Sequence, residues 1–477
     1  MALILILFPL GIAGLALVIP GNRLRPWLLP VAALVHTAVT LLLIRSEEYW
    51  TYNSWLLLDP LSALILITVS GLFLLSAFYA VGYLHHRLER SNRFFVASLS
   101  ASLGLISLAI WSHHMGLMWV AIEGTTLVTA PLIYFNKSKQ SIEATWKYLL
   151  LSSVGIALAL LGTFFLAYAA IAGSKEASLD FATLLQTAPH MSSLWLRSAF
   201  ILLLVGYGTK MGLAPMHTWK PDAYGEAPGV VGAILAGGVT SGAFLALLRM
   251  YQITLQAGEK LFMSRLLVLI GIFSMLVAAI FMINQRDFKR MLAYSSVEHM
   301  GILVLGVGLG GRALWGALFH VILNAFTKGT LFLSAGNIHR AYKDKSTDAV
   351  QGAYRRLPLS ASLFLVSFLA ITGSPPFGPF ISEFSILSGA FGSGHYVVGF
   401  LFLLLLLVVF IGMGITVLKV VQGKVPSEVE HSEYQDSFLT AAPPLAFLLV
   451  VLFLGVYVPP FLRNLISQAV SVLGSNL

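Results

Sequence analysis

GYGTKMGLAPMHTWKPDAYGEAPG, residues 206–229, decides how the rest of the chain is read. It sets Lys210 in an otherwise apolar run and follows it with Gly212 and Pro215, residues that interrupt a helix. A polar stretch with His217, Asp222 and Glu226 closes it. An ionisable group in hydrocarbon costs several kcal/mol unless it is paired or hydrated, so a lysine kept there marks a functional site by default. A buried charge beside a breakable helix points to transport.

The composition around this stretch places it in a membrane. Of the 477 residues, 58% are hydrophobic and 10% are charged. Runs of roughly 20 apolar residues recur along the chain, each long enough to cross a hydrocarbon core of about 30 Å. They are continuous rather than alternating, which predicts helices and not a barrel. About 14 spans are expected, with ends uncertain by several residues. Those that carry the argument are 114–135 (span 5), 146–172 (span 6), 196–216 (span 7), 228–250 (span 8), 291–310 (span 10), 313–338 (span 11) and 358–390 (span 12). Residues 2–20 lack a basic leader and a small-residue cleavage site, so they are expected to be a retained first span.

The charge of +9 does not imply nucleic acid, because the basic residues sit mostly in short connections between spans. Connections after odd-numbered spans hold most of them, including Arg87, Arg90, Lys137, Lys220, Arg286, Lys289, Arg290, Arg340 and Lys345. Connections after even-numbered spans hold fewer, such as Lys175, Arg197, Arg249 and Lys260. The positive-inside rule then puts the odd connections in the cytoplasm and both termini outside. The chain has no Cys, so it builds no disulfide and no thiolate metal or iron–sulfur site. The adjacent pairs His85–His86 and His113–His114 lack the companions of a closed zinc site, and no metal or cofactor is expected in this chain.

Six ionisable residues fall within spans: Glu123, Lys147, Lys210, Glu298, Lys328 and Glu383. Lys147 lies close to a loop, where an ammonium can reach the headgroups, but six such residues along the chain mark a proton path, and Lys147 is expected to belong to it. An internal repeat relates them. Glu123 and Glu298 are 298 − 123 = 175 residues apart, Lys210 and Glu383 are 383 − 210 = 173 apart, and the same 173 carries Lys147 onto His320. Units of five spans must run in opposite senses, so two inverted five-helix repeats are expected, with span 7 broken at Pro215 and span 12 at Pro375, Pro376 and Pro379. The chain divides accordingly into three N-terminal helices (1–92), a first repeat (93–256), a second repeat (257–422) and a cytoplasmic loop with the last helix (423–477). In span 11, His320, Asn324 and Lys328 recur every four residues and form one polar stripe, which suits a hydrated path better than a lone core histidine. His299 beside Glu298 adds a second ionisable pair.

Five stretches carry a resemblance: EGTTLVTAPLIYF from Glu123, GYGTKMGLAPMHTWKPDA from Gly206, QRDFKRMLAYSSVEHMG from Gln285, ALFHVILNAFTKGTLFLSAG from Ala317 and GSPPFGPFISEF from Gly373. They resemble the antiporter-like proton-translocating subunits of respiratory complex I and of Mrp antiporters. Within that superfamily, GTKMGLAPMHTW and AYSSVEHMG are most similar to the F subunit of hydrogenase-4 and formate hydrogenlyase type complexes. The resemblance implies that Glu123 modulates the proton affinity of Lys210, that His320, Asn324 and Lys328 connect onward, and that Glu383 is the exit-side group. It also implies a prokaryotic cytoplasmic membrane, other membrane subunits, and a soluble catalytic arm bearing NiFe or iron–sulfur centres. Protons are the implied cargo, with Na+ less expected. Span 8 departs from the pattern: where relatives in complex I often carry Lys or His, this chain offers only Thr240 and Ser241. Two alternatives share the same membrane core, an Mrp-type cation/proton antiporter subunit and a proton-conducting subunit for inorganic-carbon uptake.

Overall fold

Backbone groups in hydrocarbon must be satisfied within the segment, and long runs of Leu, Ile, Val, Ala and Phe do this as helices. The computed structural model describes residues 1–46, 50–174, 178–430 and 434–474. Lys175 and part of the expected loop after residue 423 lie outside the described residues. The helices in chain order are α1 (Ala2–Val18), α2 (Leu28–Arg45), α3 (Pro60–His85), α4 (Arg93–Trp111), α5 (Met115–Ile133), α6 (Lys139–Ser174) and α7 (Phe181–Thr187). They continue with α8 (Ser193–Met211), α9 (Trp219–Glu226), α10 (Gly229–Ile234), α11 (Thr240–Gln256), α12 (Lys260–Met282), α13 (Phe288–Leu309) and α14 (Gly311–Tyr342). The last are α15 (Ala353–Arg356), α16 (Pro358–Ile371), α17 (Gly378–Gly392), α18 (Tyr396–Val421), α19 (Ser427–Glu430), α20 (Phe438–Val456) and α21 (Pro460–Val472).

Among the described residues, eleven helical segments are long and apolar enough to cross a membrane. The first expected span is the shorter apolar helix α1, the expected span 7 is α8 with the turn after it, and the expected span 12 is the pair α16–α17. Helix α21 has no counterpart in the sequence reading, because it is amphipathic and follows Pro459; its Leu465, Ile466 and Ala469 are buried.

The connections sort onto two faces. Those after odd-numbered spans bond to one another: Asn22 to Leu88 and Arg90, Arg90 to Phe135, Asn136 to Glu226, and Gly352 to Gln422. Those after even-numbered spans do the same at the other end, where Leu57 bonds Trp111, Phe181 bonds His113, and Arg197 pairs with Glu259. The segments therefore alternate in direction, as the charge pattern requires. Helix α21 lies at the even end, where its Val472 carbonyl accepts from Gln252.

One ion pair ties α3 to α11. Asp59 caps α3 by accepting from Ser62 N at 2.8 Å. It also accepts from Arg249 Nη1 at 2.5 Å and Nη2 at 2.9 Å, and the Arg249 side chain is fully buried. Burial pushes the Asp59 carboxyl up, but the Arg249 charge and hydrogen bonds outweigh it and hold the group below the usual carboxylate range. The tie is thus present above about pH 4, the unfolded carboxylate value, and is lost as pH falls through the lower folded value. Arg249→Met leaves Asp59 without its partner and is expected to cost about 3–5 kcal/mol. A fall in the thermal unfolding midpoint in detergent measures it.

Helix α8 approaches α6 closely because Gly206 lacks a Cβ, which would lie 2.6 Å from Ala159 Cβ and 2.7 Å from the Gly155 carbonyl. That contact brings the end of α8 against the face of α6 that carries Tyr148 and Ser153.

Candidate functional site

Helix α8 ends where the sequence supplies a residue for a left-handed turn: Gly212 takes φ +78°, and its N–H bonds back to Gly208 and Thr209. The freed backbone groups find partners. Trp219 Nε1 donates to the Thr209 carbonyl at 2.8 Å, and Ala214 N donates to Ser274 Oγ at 3.0 Å. Lys210 sits in the last turn before this break, fully buried. Its ammonium donates to Thr126 Oγ1 at 2.7 Å and to Tyr148 Oη at 2.8 Å. Thr126 donates in turn to Glu123 Oε2 at 3.1 Å, and Ser153 donates to Glu123 Oε1 at 2.8 Å. A single hydroxyl thus separates lysine from carboxylate, and Tyr148 continues the row to Thr129 at 2.7 Å.

The second half has the same kind of row. Lys328 of α14 is buried and donates to Ser295 Oγ of α13 at 2.5 Å. Glu298 and His299 lie one turn further along α13, with His299 Nε2 3.9 Å from Glu298 Oε2. His299 Nδ1 meets His320 Nε2 at 2.9 Å, and His320 Nδ1 meets Ser382 Oγ at 2.8 Å, next to Glu383. The expected stripe of His320, Asn324 and Lys328 therefore faces α13 and α17 together. Two buried oxygens in the row, Asn324 Oδ1 and Glu383 Oε1, have no hydrogen-bond partner among the described residues. The break before Glu383 again turns on a glycine: Gly373 has φ +69°, and a Cβ there would come 2.1 Å from Glu383 Oε2.

Among the described residues, His299, His320 and Glu383 form the group able to hold a metal ion, with ligand atoms all within 4.8 Å of one another. Both His320 nitrogens are engaged by His299 and Ser382. His299, His320 and Ser382 form one hydrogen-bonded chain that ends beside Glu383.

Residues 112–412 match the family described as NADH:quinone oxidoreductase/Mrp antiporter, transmembrane. The chain belongs to this family. A second match, complex I chain 5 N-terminus, covers residues 49–95. The chain is 33% identical to the hydrogenase-4 component F homolog of Methylacidiphilum infernorum, over 95% of this chain and 96% of the relative. It is 32% identical to the NADH-quinone oxidoreductase subunit N of Desulforudis audaxviator, over 83% and 81%. Its fold is shared with a chain of the membrane-bound sulfane sulfur reductase, an archaeal respiratory membrane complex, at a TM-score of 0.88 and 21% identity over 99% and 98% of the two chains.

Three expected positions change in this antiporter-family member. Lys147 is not in the buried row. Helix α6 begins at Lys139, earlier than the expected 146, so Lys147 lies near its end, half-exposed, bonded to Glu143 at 2.6 Å and Asp222 at 2.8 Å. Asp222 also meets Arg290 at 3.1 Å, and Lys345 joins Glu226 and Asp287 close by. This is an ionic surface. Burial lowers the Lys345 ammonium, but Asp287 and Glu226 outweigh it and raise the group above its ordinary value.

Lys220, expected in a cytoplasmic connection, is fully buried, because the chain after the break folds back inward as α9 instead of leaving as a loop. Lys289, assigned to the next such connection, is also buried and donates to the Ala227 carbonyl at 2.7 Å. Sequence reasoning also missed Tyr148, Thr126 and Ser153. Their position one helical turn from, or on the helix facing, an intramembrane charge was the available signal.

Proposed function

We propose that this chain moves protons across the membrane as the antiporter-like subunit of a multi-subunit energy-converting oxidoreductase, of the hydrogenase-4/formate hydrogenlyase or complex I kind. The observation that carries the reading is the placement of Lys210: buried beside a helix break, bonded to the hydroxyls of Thr126 and Tyr148, with Glu123 one hydroxyl away. A closed salt bridge would hold the proton in place. A lysine one hydroxyl from its carboxylate has its proton affinity set by how far the two are apart.

A shift of α5 or α8, imposed by a neighbouring subunit, closes or opens that gap. Closing it favours proton uptake on Lys210. Opening it releases the proton along hydroxyls toward Lys328, then His299 and His320, and finally Glu383. Water suits the unpartnered Asn324 and Glu383 oxygens on this route, since buried polar atoms require a partner. The free energy comes from a partner, because a chain without Cys ligates no iron–sulfur cluster through thiolates. The relatives named as a hydrogenase-4 component homolog and an NADH-quinone oxidoreductase subunit support such an assembly. The basic connections of the odd face support a cytoplasmic orientation for it, in a prokaryotic cytoplasmic membrane with both chain ends outside.

Purification in mild detergent through a tag on this chain, followed by mass spectrometry, tests the assembly. NiFe and iron–sulfur subunits are the expected companions. Small membrane subunits alone replace this reading with an Mrp-type antiporter, and a soluble zinc protein replaces it with inorganic-carbon uptake.

A further inference from the structure

Between the Lys210 row and the Lys328 row, the middle of span 8 offers no ionisable group. Its Thr240 and Ser241 hydroxyls are committed to the carbonyls of Ala236 and Gly237, each at 2.6 Å. The interval is bridged from another element. Lys220, on α9, runs inward from the first break, and its ammonium donates to Ser296 Oγ at 2.9 Å. Ser296 is the neighbour in sequence of Ser295, which holds Lys328 at 2.5 Å. Lys220 and Lys328 thus bond to adjacent serines of α13. On the other side, Lys220 lies 5.6 Å from the Tyr224 ring, which packs on Trp219, which packs on Tyr148, the hydroxyl partner of Lys210.

The two breaks are also built alike. A positive-φ glycine lies against an ionisable side chain at each: Gly373 against Glu383, and Gly212 against Lys220, whose Cδ would be 2.4 Å from an added Cβ. Glycine at these places lets the charged side chain cross the break. A lysine kept only for structure would find a carboxylate or the surface, whereas this one meets the hydroxyl and carbonyl of Ser296, beside the serine that holds a second lysine.

We propose that Lys220 is a proton-carrying residue that links the two halves of the path, taking the place of a basic group in span 8. The inference rests on the proton-moving reading above. In the step it performs, the neutral amine of Lys220 accepts a proton delivered from Lys210, forming one N–H bond as the Lys210 N–H breaks. Its ammonium then gives a proton through the Ser296 and Ser295 hydroxyls to the neutral amine of Lys328. Two ammonium groups this near repel each other, so a proton arriving on one favours the departure of a proton from the other.

The test uses the whole complex in liposomes, energised by its own electron donor and acceptor, with proton uptake read by a trapped pH dye. Four variants are compared with wild type: Lys220→Met, Lys220→Arg, Lys220→His and Lys210→Met. Arginine retains the positive charge and the hydrogen bonds but does not give up its proton, so it separates a structural cation from a carrier. Lys220→Met and Lys220→Arg are expected to slow uptake about 100-fold, the lower end of what a positioned proton-transfer group contributes. Lys220→His is expected to retain measurably more than Lys220→Arg. Wild-type uptake by Lys220→Arg, or by Lys220→Met when Lys210→Met is inactive, overturns the assignment of Lys220 alone. Wild-type uptake by Lys210→Met overturns the proton-moving reading, and this inference with it. If Lys220→Met fails to assemble, the Arg and His variants decide.

Discussion

Lys210→Met is expected to abolish proton translocation while the complex still assembles. Methionine has nearly the length of lysine and no charge, so it fills the cleft between α5, α6 and α8 without a cost of desolvation. It leaves the Thr126 and Tyr148 hydroxyls with partners, since Thr126 still donates to Glu123 and Tyr148 still meets Thr129. Replacing a buried charge with an apolar side chain of similar volume is often neutral or stabilising. The variant therefore removes the carrier and spares the fold. Blue-native gels establish assembly, and a trapped pH dye reads uptake; the expected loss is at least about 100-fold.

Lys328→Met is expected to have an effect of the same size, for a different reason. In the proposed path Lys328 takes the proton reaching Ser295 on to the imidazoles, and α14 supplies no other basic side chain between His320 and His339. The loss separates two models of the second half. If the proton runs from Ser295 to His299 directly, Lys328→Met is slowed only a few-fold, on the order of a lost hydrogen bond. If Lys328 carries the proton, uptake falls with that of Lys210→Met. Lys328→Arg is expected to fail as well, because the guanidinium keeps its proton. A companion variant, Ser382→Ala, removes the hydroxyl at 2.8 Å from His320 Nδ1 and is expected to reduce uptake about 10-fold, as the ring loses the partner that orients it toward Glu383.

Much of this was legible in the chain itself. Continuous apolar runs are a strong signal because hydrocarbon admits so few alternatives to helix, and Lys210, Glu123 and Glu383 stand out against them. The four-residue spacing of His320, Asn324 and Lys328 gives them a shared face, and α14 places His320 against α13 and α17 and Lys328 against α13. The family wording of GTKMGLAPMHTW matches what the whole-chain likeness to its relatives bears out.

What escaped the sequence has physical causes. Lys220 lies in a stretch with Trp219, Pro221 and Asp222, and such a composition reads as a connection; only the inward turn of α9, made at Gly212, buries it. Lys147 and Tyr148 are adjacent, so one faces outward and the other inward, and the sequence favours the charged one. Tyr148 is the buried member that meets Lys210. Hydroxyls such as Thr126 and Ser153 are common in membrane helices, so the place of Thr126 one turn from Glu123 does not by itself single it out. Helix α21 was hidden by its polar face and by Pro459.

The central claim is that Glu123 and Lys210, held one hydroxyl apart, take up and release the proton that is moved. It is tested most directly by proton uptake into liposomes containing the intact complex, with Glu123→Gln and Lys210→Met measured beside wild type under the same driving reaction. The account predicts that both variants assemble and fall to the passive leak of protein-free vesicles. Uptake at the wild-type rate in both would contradict it.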